Sequence, residues 1–218
     1  MSAHAKLNFR PALLAAQPAE VNNFFDNISS AIHHVWTRWA AHASLGDVRI
    51  EAGMGTGGRV SGPDWGPLLE AQMPPSPFEA HWKVVASVLG AQWNRYQNSI
   101  AVPGLPLWPA FRMVPAPQAP PTPNTPVALT MLAQNRETVS RAVLREHFLD
   151  QFPNPAPEDH ALFDALAGAI EWAFDGWQTS TSVKNVIGTG PVPSFSPPKV
   201  PAGSVVGGVS LRMPGTFA

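Results

Sequence analysis

The sequence predicts a mainly α chain with irregular extended segments, and three observations carry that prediction. An apolar-faced helix, Phe25 to Trp39, returns later as Phe163 to Trp177 with no gap between the copies. Long stretches between the helices are rich in proline and glycine. Charged residues are few, at 13% of the chain. Together they give about four helices, over roughly 20–44, 77–97, 127–151 and 158–178, with a few short β-strands. The whole reads as a cryptic threefold repeat of a helix followed by a Val/Gly/Pro extended arm.

The repeat rests on matched positions. Phe25, Asp26, Ala31, Ile32 and Trp39 align with Phe163, Asp164, Ala169, Ile170 and Trp177, and Ile28 and Trp36 meet Leu166 and Phe174. The spacing puts Phe25, Ile28, Ile32, Val35, Trp36 and Trp39 along one stripe of an α-helix. A third, poorer copy gives Phe78, Trp82, Val85, Leu89 and Trp93 the same face. Nine residues beyond each closing tryptophan stands Val48, Val102 or Val186, and Gly104 and Gly188 follow two residues later. Seven residues on come Phe111 and Phe195, each in a Pro-x-Phe triplet.

Residues 1–19 read as an N-terminal arm, with Leu7, Phe9, Leu13 and Leu14 interrupted by Pro11 and Pro18. Residues 20–189 then form a helical core. Its first helix stops at Ser44-Leu45-Gly46. Asp47 to Ala52 alternates Val48 and Ile50 with charged residues, the period of a short half-buried strand. The following Gly53-Met54-Gly55-Thr56-Gly57-Gly58 matches G-x-G-x-x-G by letter, but that motif works only where a helix N-terminus presents its N–H groups to a pyrophosphate. Arg59 to Pro67 holds too many glycines and prolines for a helix, so 53–67 is read as a Gly-rich loop.

The second helix begins near Pro77, a residue suited to a first helical turn. Residues 102–126 carry nine prolines and read as an extended, largely polyproline II segment, unable to sit in the middle of a sheet. The helix over 127–151 is the strongly charged one and stands outside the repeat. Glu158 and Asp159 suit the N-terminus of the last helix electrostatically. Residues 190–218 read as an extended Pro/Gly-rich C-terminal arm.

Function classes narrow by exclusion. A net charge of −1 argues against a phosphate-backbone footprint, and Arg136, Arg141 and Arg145 are interleaved with Glu137, Glu146 and Asp150 as a self-paired helix face. The absence of cysteine excludes disulfides, thiolate metal sites and a cysteine nucleophile. No run reaches the length of a signal-peptide core or a membrane span, which predicts a soluble protein of cytoplasmic synthesis with no membrane insertion. His33, His34 and His42 lack the three- or four-residue spacing of helix-borne metal ligands. Asp26 and Asp164 are explained by the macrodipole at a helix start. The expectation is therefore no catalytic residue, no metal and no cofactor.

What remains is a surface with about half the roughly 25% charge usual for soluble domains, and with 25 prolines and eight tryptophans. Aromatic enrichment with charge depletion marks interface cores. The sequence thus predicts a non-enzymatic structural subunit of a large homo- or hetero-oligomeric assembly, such as a virion, a phage tail or tail-like particle, or a shell. Its extended apolar arms would hold neighbours. The interface candidates are Trp65, Leu105, Leu107, Trp108, Phe111, Phe195, Val205, Val206 and Phe217. One alternative is a glycan- or peptide-binding module presenting Trp65, Trp108 and Phe111. Another is a small hydrolase with a site assembled from scattered residues, which predicts a deep polar pocket.

Overall fold

The structure is a computed structural model that describes residues 19–108, 117–193 and 205–217. It overturns the mainly α expectation. Among the described residues there are five α-helices and, beside them, a six-stranded antiparallel sheet with a separate two-stranded one. The chain divides into two compact units. One holds residues up to 38 together with 64–96 and 135–177, the other 39–63, 97–134 and 178–218.

The first unit is helical. It contains most of α1 (Ala19–His42), α2 (Trp65–Glu70), most of α3 (Glu79–Ser99), α4 (Arg141–Gln151) and most of α5 (Pro157–Ser180). The recurring apolar stripe is buried in all three long helices. Phe25, Ile28, Ile32 and Val35 of α1, Trp82, Val85, Leu89 and Trp93 of α3, and Phe163, Leu166 and Ile170 of α5 are all inside. Burying side chains of this size stabilises by about 1.5–3 kcal/mol each, so the stripes explain the helices without strong intrinsic propensity. Aromatic rings fill the contacts between them. Trp65 stacks on Trp93 with centroids 4.0 Å apart, and Trp36 meets Trp177 edge-on at 4.3 Å.

Two details of this unit differ from the sequence expectation. The helix expected over 127–151 begins only at Arg141, where the Ser140 hydroxyl accepts from the Val143 amide. Residues 129–131 and 136–139 form 3-10 turns instead. Within the stretch expected to be a loop over 53–67, Asp64 caps α2 by accepting from the Gly66 amide. That short helix lies close to α3, since a Cβ on Gly90 would stand 2.7 Å from the Gly66 nitrogen.

The second unit contains β1 (Ser44–Glu51), β2 (Met54–Ser61), β3 (Val102–Pro106), β4 (Gln118–Pro123), β5 (Val127–Ala128), β6 (Ser182–Val183), β7 (Ile187–Pro191) and β8 (Gly208–Leu211). The large sheet runs β3-β2-β1-β8-β7-β4, and β5 pairs with β6. The segments expected to be Val/Gly/Pro arms are therefore strands. Val48 and Val102 lie within β1 and β3, Val186 directly precedes β7, and all three are buried. Proline and glycine had erased the period-two alternation by which a strand is recognised.

Each proline-rich strand sits where its missing N–H does no harm. β3 carries Pro103 and Pro106 on one edge of the sheet, and β4 carries Pro120, Pro121 and Pro123 on the other. Prolines on both edges block a further strand from adding there. The Gly53–Gly58 run resolves in the same way. Ala52 and Gly53 form the two-residue turn of the β1–β2 hairpin with φ of 49° and 86°, and strand rather than helix follows. Positive φ at both positions is the signature of a type I′ turn, and no phosphate-binding helix end exists there.

The sheet is strongly curled. The Trp108 ring lies against both Gly55 of β2 and Gly188 of β7, where an added Cβ would meet it at 3.0 and 2.6 Å. In a flat sheet those strands, three spacings apart, would be separated by about 14 Å, more than one indole spans. The glycines are what allow the ring to approach the backbone so closely.

Candidate functional site

Most of the residues singled out as interface candidates lie within the chain's own core. Trp65, Leu107, Trp108, Val205 and Phe217 are each no more than 4% exposed. The Trp108 indole N–H points at two carbonyls, Thr122 O at 3.1 Å and Val186 O at 3.2 Å. Val205 packs on Gly190 and Gly208, and its carbonyl accepts from the Ala52 amide at 2.8 Å. Phe217 stacks on Trp39 with centroids 5.2 Å apart. Leu105 is half-buried in β3 and Val206 is exposed. Phe111 and Phe195 lie outside the described residues, as do the arm residues 1–18 and 194–204. Trp65 and Trp108, two of the three residues expected to present a sugar or peptide site, are buried and do not offer their indole faces.

One surface that stands open is the outer face of the large sheet. Cross-strand partners share a face, so the register assigns its members. Arg49 of β1 faces Val209 of β8 on one side and Thr56 of β2 on the other, while Glu51 faces Met54. Val209 and Leu211 lie on the same side of β8 and are 48% and 39% exposed, and Met54 is 40% exposed. Asp47, Arg49 and Glu51 of β1 form a charged row, all three exposed, that separates Met54 of β2 from Val209 and Leu211 of β8. Asp47 pairs with Arg212, whose hydrogen bond holds the Asp47 carboxyl below the usual carboxylate range. One Glu51 oxygen accepts from the Gly207 amide at 2.9 Å.

Two other places collect polar groups. An open groove of about 760 Å³ runs between α4 and α5, lined by Glu137, Arg141, Arg145, Asp164 and Glu171 among others. Its central charges are paired. Arg141 binds both oxygens of Asp164, at 2.9 and 2.5 Å, and its amide donates to Glu171. The Arg141 hydrogen bonds lower the Asp164 pKa against a weaker opposing effect of burial. Ser140, on the groove wall, is occupied as the cap of α4. The sequence expectation of arginines paired along their own helix with Glu137, Glu146 and Asp150 is not met: Arg141 and Arg145 pair with Asp164, and Arg136 with Asp175, both on α5.

The second place is His81, whose Nε2 lies 2.7 Å from Asp159 Oδ1. A carboxylate accepts, so Nε2 carries the hydrogen. The ring is boxed by Phe78, Phe152 and Phe163, with Phe152 only 4.3 Å away between centroids. The other Asp159 oxygen accepts from the Ala156 amide at the start of α5. Such a pair ties α3 to α5. Among the described residues no cluster of three His, Asp or Glu side chains is placed to hold a metal ion, and no helix is long and apolar enough to cross a membrane. The chain matches no protein-family model, and no curated protein or solved structure is similar to it.

Proposed function

We propose that this protein is a non-enzymatic structural subunit of a larger protein assembly, of the virion, tail-like or shell type, and that it works by packing against neighbouring subunits. The observation that carries this reading is the pair of exposed apolar side chains Val209 and Leu211 on β8, with Met54 exposed on the far side of the β1 charges, in a chain with only 13% charged residues. Charge depletion of this kind is what the cores of protein interfaces show. In the groove between α4 and α5 Arg141 and Arg145 are paired with Asp164, and His81 is bonded to Asp159 among aromatic rings, so neither favours an enzymatic reading.

Light scattering and native mass spectrometry on the purified full chain test the proposal. A mass of two or more copies, rising with concentration, is the expected result. A sharp monomer across the accessible concentration range would remove the basis for it.

A further inference from the structure

We infer that the outer face of the six-stranded sheet is a self-complementary contact, and that its occupant is a second copy of this chain. The inference rests on the assembly reading above and specifies its surface. Three observations lead to it. The prolines of β3 and β4 close both edges of the sheet to strand addition, so association through the sheet must use a face. The outer face carries an apolar row, Val209 and Leu211 of β8, directly beside a charged row on β1. The charged row alternates in sign, with Arg49 and Glu51 two residues apart on the same side of the strand.

That alternation is what a twofold contact needs. In an isologous interface residue i meets residue j and j meets i. Arg49 and Glu51 stand about 7 Å apart along β1. A twofold axis lying in the interface and crossing β1 at Ile50 brings Arg49 of each copy against Glu51 of the other. The same operation lays β8 over β8 in the opposite direction about Gly208, so Val209, level with Arg49, covers the Gly207 backbone of the other copy, level with Glu51. The Arg49 side chain has no hydrogen bond or ion pair among the described residues, and Glu51 has committed one oxygen to Gly207 and keeps the other. Asp47 is already paired with Arg212 and does not compete for Arg49.

The test uses charge reversal on the full chain, with self-association followed by light scattering and analytical ultracentrifugation, and melting temperature followed as a fold control. Arg49→Glu and Glu51→Arg alone should each weaken association by about tenfold or more, because each sets like charges against one another. The double variant R49E/E51R should recover most of the loss, since it restores both pairs with the signs exchanged. Val209→Asp, at a half-exposed site, should abolish association while leaving the melting temperature nearly unchanged. Association that persists unchanged in V209D and in both single reversals overturns this surface while leaving the assembly reading standing. Failure of the double variant to recover overturns the reciprocal pairing. A wild-type chain that is monomeric throughout overturns the inference and, by the test given for it, the assembly reading together.

Discussion

The Thr125 amide donates to the Leu107 carbonyl at 2.7 Å, joining the chain just beyond β4 to the chain just beyond β3. Those strands are the two edges of the sheet. A bond between their continuations means that the curl brings the outermost segments together. Trp108, the next residue after Leu107, fills the space enclosed.

Replacing Trp108 by alanine should cost about 3–5 kcal/mol, the range for deleting a buried aromatic. Trp108→Phe keeps much of the ring but loses the N–H that faces Thr122 and Val186, leaving two buried carbonyls short of a donor. Trp65→Phe is the matched control, because the Trp65 indole nitrogen is buried without a hydrogen-bond partner. Urea denaturation should show the Trp108→Phe loss exceeding the Trp65→Phe loss by about 1 kcal/mol or more.

Glycine substitutions should divide by what an added Cβ would meet. At Gly188 it would lie 2.6 Å from Trp108 Nε1 and 2.7 Å from Ile50 Cδ1, so Gly188→Ala should destabilise by about 1–3 kcal/mol through overpacking. Gly176, within α5, has nothing within 4 Å of that position and no left-handed backbone. Gly176→Ala should stabilise by about 0.5–1 kcal/mol. Thermal melts of the two variants should move in opposite directions.

Asn124 is 6% exposed and satisfies three backbone groups at once. Its Nδ2 donates to Thr125 O at 2.8 Å and Val183 O at 3.0 Å, and its Oδ1 accepts from the Val186 amide at 2.9 Å. Asn124→Leu should therefore cost at least about 2 kcal/mol despite the gain in apolarity, because buried backbone groups lose their partners. Hydrogen exchange at Val186 should accelerate in that variant.

The Arg141–Asp164 pair gives a defined pH dependence. Hydrogen bonding from Arg141 depresses the Asp164 pKa in the folded chain, so the stabilisation is present above the unfolded aspartate value of about 3.9 and is lost as pH falls through the lower folded value. With the partners 50% and 34% exposed, solvent screening limits the contribution to about 0.5–1 kcal/mol. Asp164→Asn should lower the melting temperature at pH 7, and the gap to the parent chain should close between about pH 4 and pH 2.

The helices were legible because large apolar residues at helical spacing leave a strong period. The ends of α1, α3 and α5 fall within two residues of the sequence reading. The start of α4 was not found, although Ser140 before Arg141-Ala142-Val143-Leu144 is a capping signal. The sheet was the larger miss. β2 and β7 are built around glycines that make room for Trp108 and Val205, and β3 and β4 around prolines tolerated only at edges. Such strands lack the β-branched alternation that identifies a strand locally, and their partners lie far away in sequence. For the same reason Trp65 and Trp108 looked presentable. Their environment of prolines and glycines suggested a surface, whereas the glycines were the walls of their sockets.

Strand β8 joins β1 to β7, yet its residues, 208–211, come late in the chain. Until it is in place the sheet exists as two fragments, β3-β2-β1 and β7-β4, each ending in an unpaired strand, β1 with no proline and β7 with Pro191 only at its last position. Closure requires contacts more than 150 residues apart, such as Arg49 with Val209. Non-local pairing of this kind is slow, and open inner edges are sticky while it is pending. Refolding should thus lose yield to aggregation as concentration rises, at the stage before the central strand docks.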